Sequence, residues 1–382
     1  MPKVFRAPGG SVQTPKQPNK PILGVSTSRA VVIGSFPAGP SYSPQQVKTL
    51  RDFERRFGGL RAGNLSSLVV SQFFANGGSD IWVISTGATF LRKASPLLKG
   101  LSLVPRIPFA NLLLIPETFE LSDRDVDQVY RQSVFVAVKQ SLVYILDLPR
   151  RSSSFRTIHD LTSWVQSRQE LYQPNVVVYF PFIQVHAVRK NSPTITMPSS
   201  GTLAGIYARV DQAQGVWKAP AGAEANLREV VGLEPVLGRN DQQSLTVANI
   251  NPLTRKASAG YMAWGARTLS SDSEWKYVPV QRTAIYLRQS IQLGLKWAVF
   301  EPNDEPLWAQ IRLFVGTFLE TMFRQGAFQG RKARDAYFVR CGRDTITLPD
   351  QTAGRVNLVV GFAPLKPAEF IVIHIQQQAQ SL

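Results

Sequence analysis

The chain has little of what reactive or secreted proteins use. Its 382 residues include one cysteine, Cys341, and three histidines, and only 18% of them are charged. One cysteine excludes an internal disulfide and a cysteine-based metal cluster. His159, His186 and His374 have no metal ligand at i+3 or i+4, so a zinc-type site has no basis here. No apolar run approaches the roughly 18 residues of a membrane helix. The opening Met1 to Pro8 is broken by prolines and lacks a signal-peptide core. These absences predict a protein made in the cytoplasm without membrane insertion, one that leaves a cell only inside an assembly.

The charge that remains is lopsided. There are 43 Lys+Arg against 26 Asp+Glu, a net +17. Such a field suits an acidic partner: nucleic acid, a membrane surface or an acidic protein. Globular chains carry about 25% charged residues, and a surface poorer than that is easier to explain if neighbours cover much of it.

Residues 1–24 hold Pro2, Pro8, Pro15, Pro18 and Pro21 among Lys3, Arg6, Lys16 and Lys20, a composition for extended backbone rather than a packed core. Ala30 to Gly34 reads as a buried strand. Ser43 followed by Pro44 predicts a helix start, with Val47, Leu50 and Phe53 on one face and Gly58-Gly59 as its stop. A second helix is expected after Asn64 and another strand at Ile81 to Ile84. From there to about residue 200 the pattern alternates: strands at 111–115, 142–146 and 176–179, and helices near 123–139 and 157–170. Continuous apolar strands with crossover-length helices predict a small α/β unit with a parallel sheet. None of these strands is followed by G-x-G-x-x-G or G-x-x-x-x-G-K-[ST], so a phosphate cradle has no source. Later, Leu307, Ile311, Phe314, Phe318 and Met322 predict a long helix ending at Gln325-Gly326.

Candidates for chemistry are few. Arg340 and Arg343 flank Cys341 and would lower a thiol pKa, but no histidine base accompanies it, and a small buried cysteine is the commoner case. The acidic run at Asp123, Asp125 and Asp127 could hold a divalent ion, but a helix N-terminus wants carboxylates in any case. No catalytic, cofactor or metal residue is assigned.

The C-terminal third is more specific. Gly260 to Val278 contains Trp264-Gly-Ala-Arg-Thr-Leu-Ser-Ser-Asp272 and ends Trp275-Lys-Tyr-Val278. Lys296-Trp-Ala-Val-Phe-Glu-Pro-Asn303 follows, and the chain closes on Ala363-Pro-Leu-Lys-Pro-Ala-Glu-Phe-Ile-Val-Ile-His-Ile375. With Gly215-Val-Trp-Lys-Ala-Pro-Ala-Gly222, this series resembles the tail sheath family of contractile phages, bacteriocins and injection systems. The "PGVYVEE" opening frequent in that family is absent, and Gly222 stands where Asn is common.

The resemblance implies an α/β fold in which an α+β core carries an inserted α/β domain and extended arms. The expected divisions are an N-terminal arm (1–24), a first core segment (25–95), an outward-facing insert (96–200), a second core segment (201–368) and a C-terminal strand (369–382). It implies a subunit that polymerises helically, in stacked rings, around an acidic inner tube and contracts to drive that tube through an envelope. Baseplate and terminator proteins would be further partners, with no cofactor and no direct nucleic acid. The assembly would form in the bacterial cytoplasm and function in a virion tail or a released particle. Arg312, Arg324, Arg331, Lys332 and Arg334 become candidates for the tube contact, although a solvated basic face explains them as well. Val4, Phe5, Phe370, Ile371, Val372, Ile373, His374 and Ile375 become candidates for strand exchange, although residues 1–24 also suit a disordered tail. Two rival readings remain: a nucleotide- or thiol-dependent α/β enzyme, and a basic nucleic-acid-binding protein.

Overall fold

The computed structural model describes residues 21–61, 63–150, 157–188, 192–365 and 371–380. Val4, Phe5 and Phe370 therefore lie outside the described residues.

Among the described residues, eight of the first eleven strands enter one sheet. β1 (Ala30–Gly34), entirely buried, is the third strand from one edge. Parallel to it on one side lies β3 (Ile81–Ser85), followed by the short antiparallel edge strand β2 (Gln45–Val47). On the other side β4 (Leu112–Leu114), β5 (Val143–Leu146) and β6 (Val176–Phe180) continue in parallel. Runs such as Ala-Val-Val-Ile and Val-Val-Val-Tyr are buried on both faces because helices cover both sides.

The helices are set by their caps. α1 (Leu50–Phe57) starts where the Thr49 side chain accepts from Asp52 N–H, and it ends at Gly58, whose φ of 85° is the left-handed conformation glycine adopts freely. This corrects the start expected at Ser43-Pro44: Gln45–Val47 is strand, and the Thr-x-x-Asp box at 49–52 is the true signal. α2 (Leu65–Ala75) is capped by Asn64 as expected. α3 (Ala94–Leu101), α4 (Asp123–Lys139) and α5 (Ile158–Gln166) follow, and Ser122 and Thr157 cap the last two.

A small antiparallel sheet then forms from β7 (Phe182–His186), β8 (Thr194–Met197) and β9 (Gly232–Glu234), around α6 (Ser200–Gln214). After α7 (Arg239–Val247), β10 (Asn251–Lys256) returns beside β6 and pairs with β11 (Gly260–Ala263). The large sheet thus has the order β11-β10-β6-β5-β4-β1-β3-β2. Its strands come from residues 25–95, 96–200 and 201–368 alike. The strands of the unit expected as an insert, β4, β5 and β6, lie in the middle of this sheet.

α6 lies parallel to α2 at very short range. A Cβ on Gly201 would come within 2.1 Å of the Val69 carbonyl oxygen, and one on Gly205 within 2.4 Å of that of Phe73. Two glycines four residues apart let the backbones touch, as no side chain would.

The remaining residues form a second unit with its own core. α8 (Val278–Gly294) and α9 (Glu305–Arg324) pack on an antiparallel sheet in the order β12 (Tyr337–Arg340), β13 (Arg355–Phe362), β14 (Ile371–Gln378). Ile371, Ile373 and Ile375 point inward while Val372, His374 and Gln376 face out, the alternation of a sheet covered on one side.

Candidate functional site

An α/β sheet of this kind holds ligands outside the carboxyl ends of its strands, where the order reverses. Here the chain runs from β1 to β3 on one side and then crosses to β4 on the other, so the reversal lies between β1 and β4. The position is filled from within. Glu117, three residues after β4 and 3% exposed, accepts hydrogen bonds from the backbone N–H and hydroxyl of Ser35, which follows β1. It also accepts from the Ser66 hydroxyl, 3.1 Å away in the first turn of α2. Beside it Asp147, the residue after β5, accepts from Ser200 N–H at the start of α6, 3.1 Å away. Each carboxyl group therefore sits at the N-terminal end of a helix, where an incoming phosphate would otherwise go. Burial raises both pKa values, that of Asp147 to about 7. Sequence reading passed over both residues, and the available signal was a carboxyl group set in apolar sequence directly after a buried strand.

The thiol is closed off as well. Cys341 is buried and its pKa is pushed up to about 12 chiefly by burial, which outweighs the lowering effect of the Arg312 guanidinium that donates to its carbonyl oxygen. Among the described residues no cluster of His, Cys, Asp and Glu could hold a metal ion. Among the same residues no helix is long and apolar enough to cross a membrane.

The outer surface of the second unit is different. α9 buries Leu307, Trp308, Ile311, Val315, Phe318, Leu319 and Met322, leaving Ala309, Leu313, Thr317, Thr321 and Arg324 outward. The five candidate basic residues do not form one group. Arg324 is exposed at the end of the helix and pairs with Glu320 at 2.8 Å. Arg331, Lys332 and Arg334 follow within ten residues, all exposed. Arg312 lies three turns back, about 18 Å along the helix axis from Arg324. It is engaged with Glu305 at 2.6 Å as well as with the Cys341 carbonyl. The C-terminal end of α9 is thus a cationic corner, and Arg312 fixes the helix to the end of β12.

The candidate exchange strand is ordered within its own chain. Ile371 to Gln378 pair with Phe362 to Arg355 of β13 along eight residue pairs, so β14 is an edge strand and its outer side offers unpaired backbone groups. Eight residues of chain, 363–370, separate the paired ends Phe362 and Ile371, where a tight hairpin takes two.

The two units meet at a buried ion pair. Arg282 of α8 and Asp211 of α6, 3% and 5% exposed, form a bidentate contact at 2.8 and 2.6 Å. Arg282 also donates to the Thr27 carbonyl at 2.8 Å and lies over the Tyr207 ring, while the Thr27 hydroxyl donates to Asp211. One node therefore joins the entering segment 21–29, α6 and α8.

Residues 270–378, nearly the whole second unit, match the phage tail sheath C-terminal domain family. A Pseudomonas aeruginosa protein named as a prophage major tail sheath protein is 26% identical over 238 residues, covering 61% of this chain and 57% of that protein. The tail sheath protein of Vibrio phage KVP40 is 24% identical over 328 residues, covering 75% of this chain and 49% of that one. The chain thus spans about half the length of these curated relatives. Solved structures match it from end to end. The sheath of an extracellular contractile injection system (PVC) in its contracted state is 25% identical, with a TM-score of 0.76 over 100% of this chain and 99% of that one. The contracted helical sheath of the anti-feeding prophage is also 25% identical, with a TM-score of 0.75 over 97% and 99%. The second unit thus matches the phage tail sheath C-terminal domain family, and the whole length of the chain is similar to subunits of contracted sheaths.

Proposed function

We propose that this chain is the structural subunit of a contractile sheath, polymerising helically around an inner tube and contracting to drive it through a target envelope. The end-to-end likeness to a contracted injection-system sheath carries this reading. The rest of the structure supports it: the ligand position of the main sheet is filled by Glu117, and the one thiol is inert. Contraction is then a movement of rigid subunits between two packings, with the energy stored at assembly.

In this reading β14 and residues 1–20 link subunits. A strand added to a neighbour's sheet keeps its backbone hydrogen bonds while subunits rotate. Ile371 to Ile375 with Phe370, and Val4 and Phe5 from the other arm, are the exchanging residues, and the length of 363–370 gives β14 room to reach another copy. The cationic corner of Arg324, Arg331, Lys332 and Arg334 grips an acidic tube through contacts each worth about 0–1 kcal/mol and weakened by salt. Arg312, already paired, has the smaller share. The particle assembles in a bacterial cytoplasm and ends in a baseplate and a terminator, as part of a virion tail or a released particle.

Electron microscopy of the purified chain, with and without residues 369–382, tests the proposal. Hollow helical tubes from the intact chain, lost on truncation, are expected. Tubes from both proteins would retain the sheath and remove the role of β14, and discrete monomers at every salt concentration would overturn the function.

A further inference from the structure

Away from these surfaces, a pocket of about 380 Å³ opens where the two units meet. Its walls are the end of α4 (Lys139, Gln140, Ser141), the segment around Phe109, and Arg288 and Gln292 of α8. Its lining contains two cations, several amides and no carboxylate. Arg288 is half-buried, and among the described residues its one hydrogen bond is a long one, 3.3 Å, to the neutral Ser141 hydroxyl. Its Nε is buried without a partner. Burial lowers its pKa, and no acidic neighbour opposes that shift. Nor does it cap α4: the carbonyls of Val136, Ala137 and Val138 are already taken by the N–H groups of Gln140, Leu142 and Ser141. Lys139 lies over the Phe135 ring, and Lys296, just outside, over that of Phe109. Phe109 and Ser141 both have positive φ, 50° and 52°, a strain that ordinary packing does not require.

A half-buried guanidinium with a buried, unpartnered Nε and no carboxylate in the pocket lining is costly to keep. We propose that this pocket is an oxyanion site, taking a carboxylate or phosphate group between Arg288 of α8 and Lys139 of α4 and so tying the two units together. The group has two possible sources, a free ion or an acidic side chain of a neighbouring copy.

Inorganic phosphate is the probe. Thermal unfolding of the full chain is followed against phosphate concentration, with potassium chloride at matched ionic strength as reference. A saturating rise in Tm is expected, abolished in Arg288→Gln, reduced in Lys139→Gln at the pocket rim, and partly restored in Arg288→Lys. A non-saturating rise common to all four proteins reflects exclusion of phosphate from protein surfaces and overturns the proposal, as does no rise at all beyond chloride. The phosphorus NMR linewidth then separates the sources. Broadening by both free and assembled chain identifies a free ion. Broadening lost on assembly, together with failure of Arg288→Gln to assemble, identifies a neighbour's carboxylate.

Discussion

The two units are built on opposite plans. The first wraps a mainly parallel sheet in helices, fills its own ligand crevice with Glu117 and Asp147, and presses α2 against α6 until only glycine fits. The second is an antiparallel sheet covered on one face, with edge strands at both sides and a cationic corner at the end of its longest helix. One fills its crevice from within, and the other presents an edge strand and a basic corner at its surface. The family match falls on the second unit, as expected if the assembly contacts are the part held in common.

If Arg282 and Asp211 hold the units together, breaking their pair has the largest effect. Arg282→Leu strands a buried carboxylate and should cost about 3–5 kcal/mol. Calorimetry should then show the second unit melting apart from the first, and a single unshifted transition would show that the node is dispensable. Within the second unit, Ile373→Ala removes a side chain 1% exposed and should cost about 2–5 kcal/mol in denaturant unfolding. Within the first unit, Gly205→Val forces atoms against the Phe73 carbonyl and should cost at least about 1–3 kcal/mol, whereas the same change at the open Gly316, which meets nothing within 4 Å, should be far milder.

The pH dependence sharpens the contrast, because Glu117 and Asp147 both lie in the first unit. Their folded-state pKa values are raised, so their contribution is complete below the unfolded values near 4. For Asp147 it is lost as pH rises toward about 7. Stability of the first unit should fall over that window by at most about 1.4 kcal/mol per pH unit for each group, and Asp147→Asn should flatten the profile. The smallest effect belongs to the surface. Arg324→Ala leaves Tm unchanged but should weaken tube binding at low salt, and unchanged binding would remove Arg324 from the grip.

Local signals carried much of this fold. Asn64, Ser122 and Gln325 mark helix ends in sequence as they do in space, and the stripe from Leu307 to Met322 gave α9. Ser43-Pro44 misled because a serine followed by proline imitates a helix start, while the Thr49 to Asp52 box that fixes α1 lay six residues on. The order of the main sheet could not be read locally, since β10 reaches β6 across some seventy residues and nothing in either strand names the other.

The entering segment has a mechanical consequence. Ile22 packs against Gly294, Val25 donates to Ser290 at 3.1 Å, and the Thr27 carbonyl accepts from Arg282, so residues 22–27 run the length of α8. A pull on the arm that precedes them is resisted in shear by several contacts at once instead of being peeled away one by one. Tension from a neighbouring subunit would thus arrive at Arg282, the point from which both units can be turned as one.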